Sequence, residues 1–200
     1  MIIFRLIVFL YSVILHEIAH GYVAYKLGDD TALKMGRLTL NPLYHLDLFG
    51  SIFVPLIFYF ISGGSLIFGW AKPVPYNPFK LKNLKRDTAL LGLAGPAANF
   101  LLAFLFGCLI RLSIFLGLNS LVSWYQIIVA VNLILAVFNL IPIPPFDGSK
   151  ILFYLLPSER LEIFLSQYRF IFLFLILMWG WVLIFPIVEI LFSLFTGLSF

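Results

Sequence analysis

The stretch that decides the fold reads Val13-Ile14-Leu15-His16-Glu17-Ile18-Ala19-His20-Gly21. It puts two imidazoles and a carboxylate into an apolar run that starts at Ile2 and continues as a helix to about Lys26. Residues four apart on a helix share a face, one turn from each other, so His16 and His20 can reach a single ion. A carboxylate at the centre of a membrane helix costs at least ~2.5–3.5 kcal/mol, and three polar groups together need compensation. A bound dication with water supplies it. Zinc suits nitrogen ligands, and a reactive zinc site keeps three protein ligands and one exchangeable water. Glu17, beside the first imidazole, is placed to take a proton from that water.

The rest of the chain says why this helix lies in a membrane. Of 200 residues, 62% are hydrophobic and only 11% charged, and the mean hydropathy is +1.08, far outside soluble-domain averages. Apolar stretches at about 2–15, 48–68, 88–118, 121–141 and 170–198 mostly reach the ~20 residues that span a ~30 Å hydrocarbon core. These predict an all-α polytopic membrane protein with about four spanning helices plus a re-entrant or extra spanning segment, five to six apolar segments in all. One domain is expected over 1–200, with a core of about 1–156 and an additional C-terminal transmembrane segment over about 168–198. Gly28 is the natural terminator of the first helix. Partial alternation over 33–40, with turn residues at both ends, predicts a small membrane-associated β-hairpin. The N-terminal run is not a cleaved signal, because it continues without a small-residue cleavage pattern into His16, Glu17 and His20.

The segment 48–68 is interrupted by Pro55 and by Ser62-Gly63-Gly64-Ser65. If it spans, the 13 Lys and Arg divide nine against four between the two faces. If it dips and returns, only Arg5 and Arg111 share one face and eleven lie opposite. The positive-inside rule favours the second arrangement. The same rule accounts for the net charge of +4 without a nucleic-acid partner, since the basic residues flank apolar segments. Cys108 stands alone in an apolar run, so it forms neither a disulfide nor a thiolate metal site within one chain.

Two histidines leave a zinc site one ligand short. Asp147 follows Pro142, Pro144 and Pro145, which force the backbone out of helical geometry where the carboxylate appears. Spacing alone weighs a metal ligand and an interfacial Asp-Gly turn equally. His45 and Asp47 lie near a membrane boundary, as surface groups or as neighbours of the site. Intramembrane His, Glu and Asp also mark ion or proton transporters, and a catalytically silent zinc-binding membrane protein would need the ligands without the base.

Three motifs, His16-Glu17-Ile18-Ala19-His20, Gly95-Pro96-Ala97-Ala98-Asn99-Phe100 and Asn139-Leu140-Ile141-Pro142-Ile143-Pro144-Pro145-Phe146-Asp147-Gly148, together resemble the site-2 protease family of intramembrane zinc metalloproteases. The resemblance covers about residues 10–150, and is closest to a compact prokaryotic branch without PDZ or CBS modules. It implies one Zn2+ per chain held by His16, His20 and Asp147, with Glu17 as catalytic base and Asn139 positioning substrate or stabilising the oxyanion. It further implies an endopeptidase of regulated intramembrane proteolysis. Its partners would be transmembrane protein substrates and the lipid bilayer, its location a prokaryotic plasma membrane, and its active site nearer the cytoplasmic side. Asn99 reads as an interhelical hydrogen-bonding residue.

Overall fold

The computed structural model describes residues 1–47, 49–61 and 72–200. Among the described residues, four helices are long and apolar enough to cross a membrane: α1 (Ile2–Lys26), α4 (Leu84–Phe115), α5 (Asn119–Asn139) and α8 (Arg169–Thr196). Between them lie the short helices α2 (Thr31–Lys34), α3 (Val54–Ile61), α6 (Gly148–Leu155) and α7 (Glu159–Gln167).

The ends of these helices follow from local chemistry. α1 stops at Leu27, and Gly28 takes a φ of 107°, a left-handed turn that glycine adopts without a Cβ penalty. α4 begins at Asn83, whose side chain accepts from the Arg86 amide at 3.2 Å. Asp87 reaches back to accept from the Asn83 amide at 2.9 Å, so two orphan donors of the first turn are satisfied reciprocally. Ser158 caps α7 in the same way through the Leu161 amide. α8 runs without a break through Pro186 and ends at Gly197 with φ 76°.

α4 is the central helix, packing against α1, α5, α6 and α8. The largest buried cluster joins Ala103 and Ile110 of α4, Val129, Leu133 and Val137 of α5, and Ile184, Val188 and Phe192 of α8. The small residue Gly107 lets α8 approach, since a methyl there would come within 2.9 Å of Phe195 Cβ. Close packing through small residues is what drives helix association where lipid is as apolar as the side chains. The opposite faces expose Phe104, Leu105, Phe174 and Leu183, as a lipid-facing surface must. Cys108 is on that exposed side.

α1 and α4 run antiparallel: His16 contacts Asn99, and His20 contacts the carbonyl of Leu91. Lys26 and Leu84 therefore sit at the same end of the bundle, and the chain over 27–83 leaves and returns there. Of the expected apolar segment 48–68, the structure has a π-helical turn at Phe49–Phe53 followed by α3. The remainder of that segment, from 62, lies outside the described residues, as does residue 48.

The hairpin expected over 33–40 is not formed, and there is no strand among the described residues. The reason is local. The Asp29 carboxylate accepts from the amide of Thr31 at 3.0 Å and from its hydroxyl, which starts a helical turn instead. The turn closes through Lys34 N–H to Asp30 O and Met35 N–H to Thr31 O, and Gly36 ends it with φ 64°. Arg37, which would have pointed off a strand, is buried and donates to the carbonyls of Lys72 and Pro73 at 2.8 and 3.2 Å.

The same turn is tied to the start of α4 by charge. Lys80 Nζ is 2.5 Å from Asp30 Oδ1, Lys34 Nζ is 2.6 Å from Asp30 Oδ2, and Asp29 Oδ2 accepts from the Asn77 amide at 2.5 Å. Contacts with the Lys34 and Lys80 ammoniums pull the Asp30 carboxyl down to about 2. Burial pushes Asp29 up, but hydrogen bonds from Thr31 and Asn77 and the charge of Lys80 leave it below its usual value. Groups depressed on folding stabilise above their unfolded pKa, near 3.8, and lose that contribution as pH falls through the folded value. Amide protection factors of residues 27–36 and 76–81 in micelles should therefore fall as pH drops from about 4 towards 2. In Lys80→Met the loss should begin at higher pH; an unchanged profile would mean that the ion pairs do not hold the turn.

Candidate metal centre

His16 and His20 project from one face of α1 with ring centroids 4.7 Å apart and planes at 83°. The Nε2 atoms of both lie 3.0 Å from the same oxygen, Asp147 Oδ2. One ligand atom from each of the three side chains falls within 4.8 Å of the others. His16 and Asp147 are buried, at 6% and 7% exposure, inside a bundle whose outer faces are apolar.

Asp147 arrives from the far end of the chain. Pro142, Pro144 and Pro145 stop α5 at Asn139, because proline has no N–H to continue the helical ladder. The unwound stretch folds back on itself through Ile143 N–H to Ile141 O and Phe146 N–H to Ile143 O. Gly148 is pressed onto the backbone of Leu140 and Ile141, where any Cβ would collide. Lys150, one turn into α6, donates to Asp147 Oδ1 at 2.9 Å, which leaves Oδ2 for the histidines.

α4 supplies both clearance and polar partners. A methyl at Gly92 would come within 2.7 Å of the Asp147 carbonyl and 3.0 Å of Lys150 Cβ, and one at Gly95 would strike the His16 ring. His20 Nδ1 donates to the Leu91 carbonyl at 2.6 Å. A carbonyl oxygen only accepts, so the neutral ring carries its proton on Nδ1 and turns a lone pair on Nε2 towards Asp147. A lone pair and a carboxylate oxygen 3.0 Å apart are two acceptors that a shared cation satisfies, and the donor set of two imidazole nitrogens and one carboxylate oxygen fits zinc.

A cavity of about 220 Å³ opens onto these three side chains and is also lined by Glu17, Asn139, Lys150 and residues 73–76. Glu17 Oε2 accepts from the Val74 amide at 2.8 Å. Val74 belongs to an extended segment fixed at its ends by Arg37 on the Lys72 and Pro73 carbonyls and by Asp29 on the Asn77 amide. Asn139 donates one N–H to Leu135 O at 2.9 Å, and its primary amide has a second.

Five residues singled out in the sequence thus meet at one cavity: His16, Glu17, His20, Asn139 and Asp147. His45 and Asp47 do not line it. His45 is buried and donates from Nε2 to Thr39 O at 2.8 Å, while Asp47 Oδ1 accepts from the Gly50 amide at 2.7 Å. Sequence reasoning missed Lys150 and the Val74 amide. Lys150 had a signal, a cation three residues from Asp147 on a helix, where the two side chains are neighbours. The amide had none.

Two histidines, a carboxylate and a neighbouring glutamate thus face one cavity among long apolar helices, with a donor set able to hold a metal ion. Residues 4–117 and 113–178 match Peptidase family M50. The chain belongs to that family, the site-2 protease type, and is an integral membrane zinc metalloprotease with Zn2+ as its cofactor. Three relatives bear the name putative zinc metalloprotease: YwhC of Bacillus subtilis, Rip2 of Mycolicibacterium smegmatis and MJ0611 of Methanocaldococcus jannaschii. They are 41%, 33% and 32% identical over 77%, 70% and 74% of this chain. The aligned regions span 69%, 52% and 72% of those proteins, so the Rip2 match takes in about half of its length. No solved structure matches.

Because a Cβ at Gly95 has no room beside His16, Gly95→Ala should cost about 1–3 kcal/mol of stability by overpacking. It should lower zinc content in parallel. Thermal unfolding in detergent and metal analysis of the purified variant measure both; a variant matching wild type in each would show that the ring is not pressed against α4.

Proposed function

We propose that this chain is a zinc-dependent intramembrane endopeptidase that hydrolyses peptide bonds in or near transmembrane segments of membrane proteins. The observation that carries the reading is the convergence of His16 Nε2, His20 Nε2 and Asp147 Oδ2 on one point, with Glu17 on the wall of the same cavity. In this reading His16, His20 and Asp147 hold one zinc ion. Zinc held there supplies Lewis acidity towards the scissile carbonyl and makes a water acidic enough to react near neutral pH.

The protein's own groups do the rest. Glu17 accepts the proton of the attacking water and returns it to the leaving amine. The Val74 amide fixes one carboxylate oxygen of Glu17 and leaves the other for that proton. The second N–H of Asn139 donates to the oxygen that gains charge as the carbonyl becomes tetrahedral. A helical substrate hides its carbonyls in its own hydrogen bonds, so it must unwind before it can react. Substrate segments with Gly, Pro or polar residues near the cleavage point are accordingly preferred.

The antiparallel pairing of α1 with α4 supports a topology that sets Lys26 and Leu84 on one face, without a single crossing between them. Eleven cations then gather on the face of Lys26, against Arg5 and Arg111, which makes that face cytoplasmic. His20 is six residues from Lys26, about 9 Å along the helix, so the active site is nearer the cytosol. The bacterial and archaeal relatives support a prokaryotic plasma membrane. The packing of α8 on α4 and α5 supports one domain over 1–200, with the C-terminal segment of about 168–198 added to a core of about 1–156.

Zinc content and cleavage of a model transmembrane substrate, measured in detergent on purified variants, test the assignment. Wild type should hold one zinc per chain and cleave. Glu17→Gln should keep the zinc and lose roughly 10²–10⁴-fold in rate, while Asp147→Ala loses both zinc and activity. Asn139→Ala should keep zinc and fall by about 10²–10³ in kcat. Full activity in Glu17→Gln would sink the mechanism, and zinc without cleavage in wild type would leave a silent metal-binding protein.

A further inference from the structure

His16 differs from His20 in what its second nitrogen touches. His16 Nδ1 lies 2.6 Å from Asn99 Oδ1 on α4, a side chain with no solvent exposure. Asn99 Nδ2 in turn contacts the Ser12 carbonyl of α1 at 3.2 Å and Asn132 Oδ1 of α5 at 2.8 Å. Asn132 Nδ2 contacts the Ile128 carbonyl and the Ser12 hydroxyl, both at 2.9 Å. Four buried polar side chains on three helices thus form one chain, and it ends at His16.

The direction of that chain is fixed at both amides by backbone. Ile128 O and Ser12 O can only accept, so the atoms facing them are the NH2 groups of Asn132 and Asn99. The oxygen of Asn99 is then the atom that faces His16. A carbonyl oxygen can only accept, so the proton of the neutral His16 ring sits on Nδ1 and the lone pair on Nε2, where the other ligands are. With the proton on Nε2 instead, His16 would point an N–H into the site and leave Asn99 Oδ1 and Nδ1 as two facing acceptors in an apolar interior.

Granted His16 as a zinc ligand, we propose that Asn99, oriented by Ser12 and Asn132, is a positioning residue that sets the His16 tautomer and thereby the affinity of the site for zinc. Its carbonyl also accepts from a ring that becomes more positive when Nε2 binds a cation, so the hydrogen bond strengthens on loading. Interhelical packing alone asks only that the amide hydrogens be satisfied. The tautomer role asks for an acceptor opposite Nδ1.

Two substitutions separate these roles. Asn99→Leu removes the acceptor and the donors, whereas Asn99→Asp keeps an acceptor for Nδ1 while disrupting the donation to Ser12 and Asn132. Zinc affinity would be measured by chelator competition on the purified full chain in detergent. Asn99→Leu should bind roughly 10- to 100-fold more weakly, and Asn99→Asp should recover most of that loss although its thermal stability falls. Independently, 15N shifts of the His16 imidazole in metal-free wild type, at a pH where the ring is neutral, should show Nδ1 protonated and Nε2 bare.

Wild-type affinity in Asn99→Leu, equal weakening in Asn99→Asp and Asn99→Leu, or a proton on His16 Nε2 would each overturn the proposal. If Asn99→Leu does not fold, the wild-type shifts and the Asn99→Asp affinity still decide it. His16→Ala and Asp147→Ala serve as references. Undiminished zinc binding in both would overturn the ligand assignment itself, whereas loss in both with Asn99→Leu unaffected would overturn only the role of Asn99.

Discussion

The rest of the structure depends on three acceptors meeting in a membrane: two imidazole nitrogens 3.0 Å from one carboxylate oxygen. Left alone, the lone pairs of two neutral imidazoles and a carboxylate oxygen repel, and burial strengthens that repulsion. A divalent cation held there would turn that repulsion into attraction. Every neighbouring feature serves either to bring the acceptors together or to keep their other atoms satisfied. Lys150 neutralises Asp147 Oδ1, and the Leu91 carbonyl and Asn99 take the Nδ1 side of each ring.

α4 carries most of that work within nine residues. Leu91, Gly92, Gly95 and Asn99 fall three or four apart or adjacent, so they form a stripe along one face turned to α1 and α6. The glycines give depth: without them the Asp147 backbone and the His16 ring could not approach the helix axis so closely. Glycine in a helix costs about 0.5–1 kcal/mol relative to alanine, a modest cost against the clearance gained. Leu91 and Asn99 give polarity, one from the main chain and one from a side chain.

How much of this was legible follows from the range of the interactions. The two histidines and Glu17 declare themselves because helix geometry alone puts them on one turn, and an apolar context makes their polarity costly. The four spanning helices are written in run lengths. Asp147 was ambiguous for a physical reason: a proline-interrupted Asp-Gly turn looks the same in sequence whether or not a metal faces it, and only the return of α5 onto α1, 127 residues from His20, brings the carboxylate to the ring. Asn99 was read as an interhelical hydrogen-bonding residue, but its partner His16, 83 positions away, was not identified. The hairpin over 33–40 failed at the level of side-chain chemistry. Alternation described the apolar positions, but Asp29 and Thr31 nucleate a helical turn that no periodicity measures.

Backbone that leaves helical geometry at membrane depth must satisfy its donors without water. The two irregular segments bordering the cavity, 72–78 and 140–147, solve this largely by deletion: Pro73, Pro75, Pro78, Pro142, Pro144 and Pro145 have no N–H to satisfy. Three of the amides that remain in the first segment are spent on other groups: Lys72 on the His45 carbonyl, Val74 on Glu17 and Asn77 on Asp29. Two of those partners are carboxylates that would themselves be costly without donors. The segment and Glu17 therefore stabilise each other, the Val74 amide being satisfied by a carboxylate that itself needs a donor. The orientation of Glu17 is in that sense a consequence of how an irregular segment is made tolerable beside a membrane: prolines leave it few donors, and one of the few that remain holds the carboxylate.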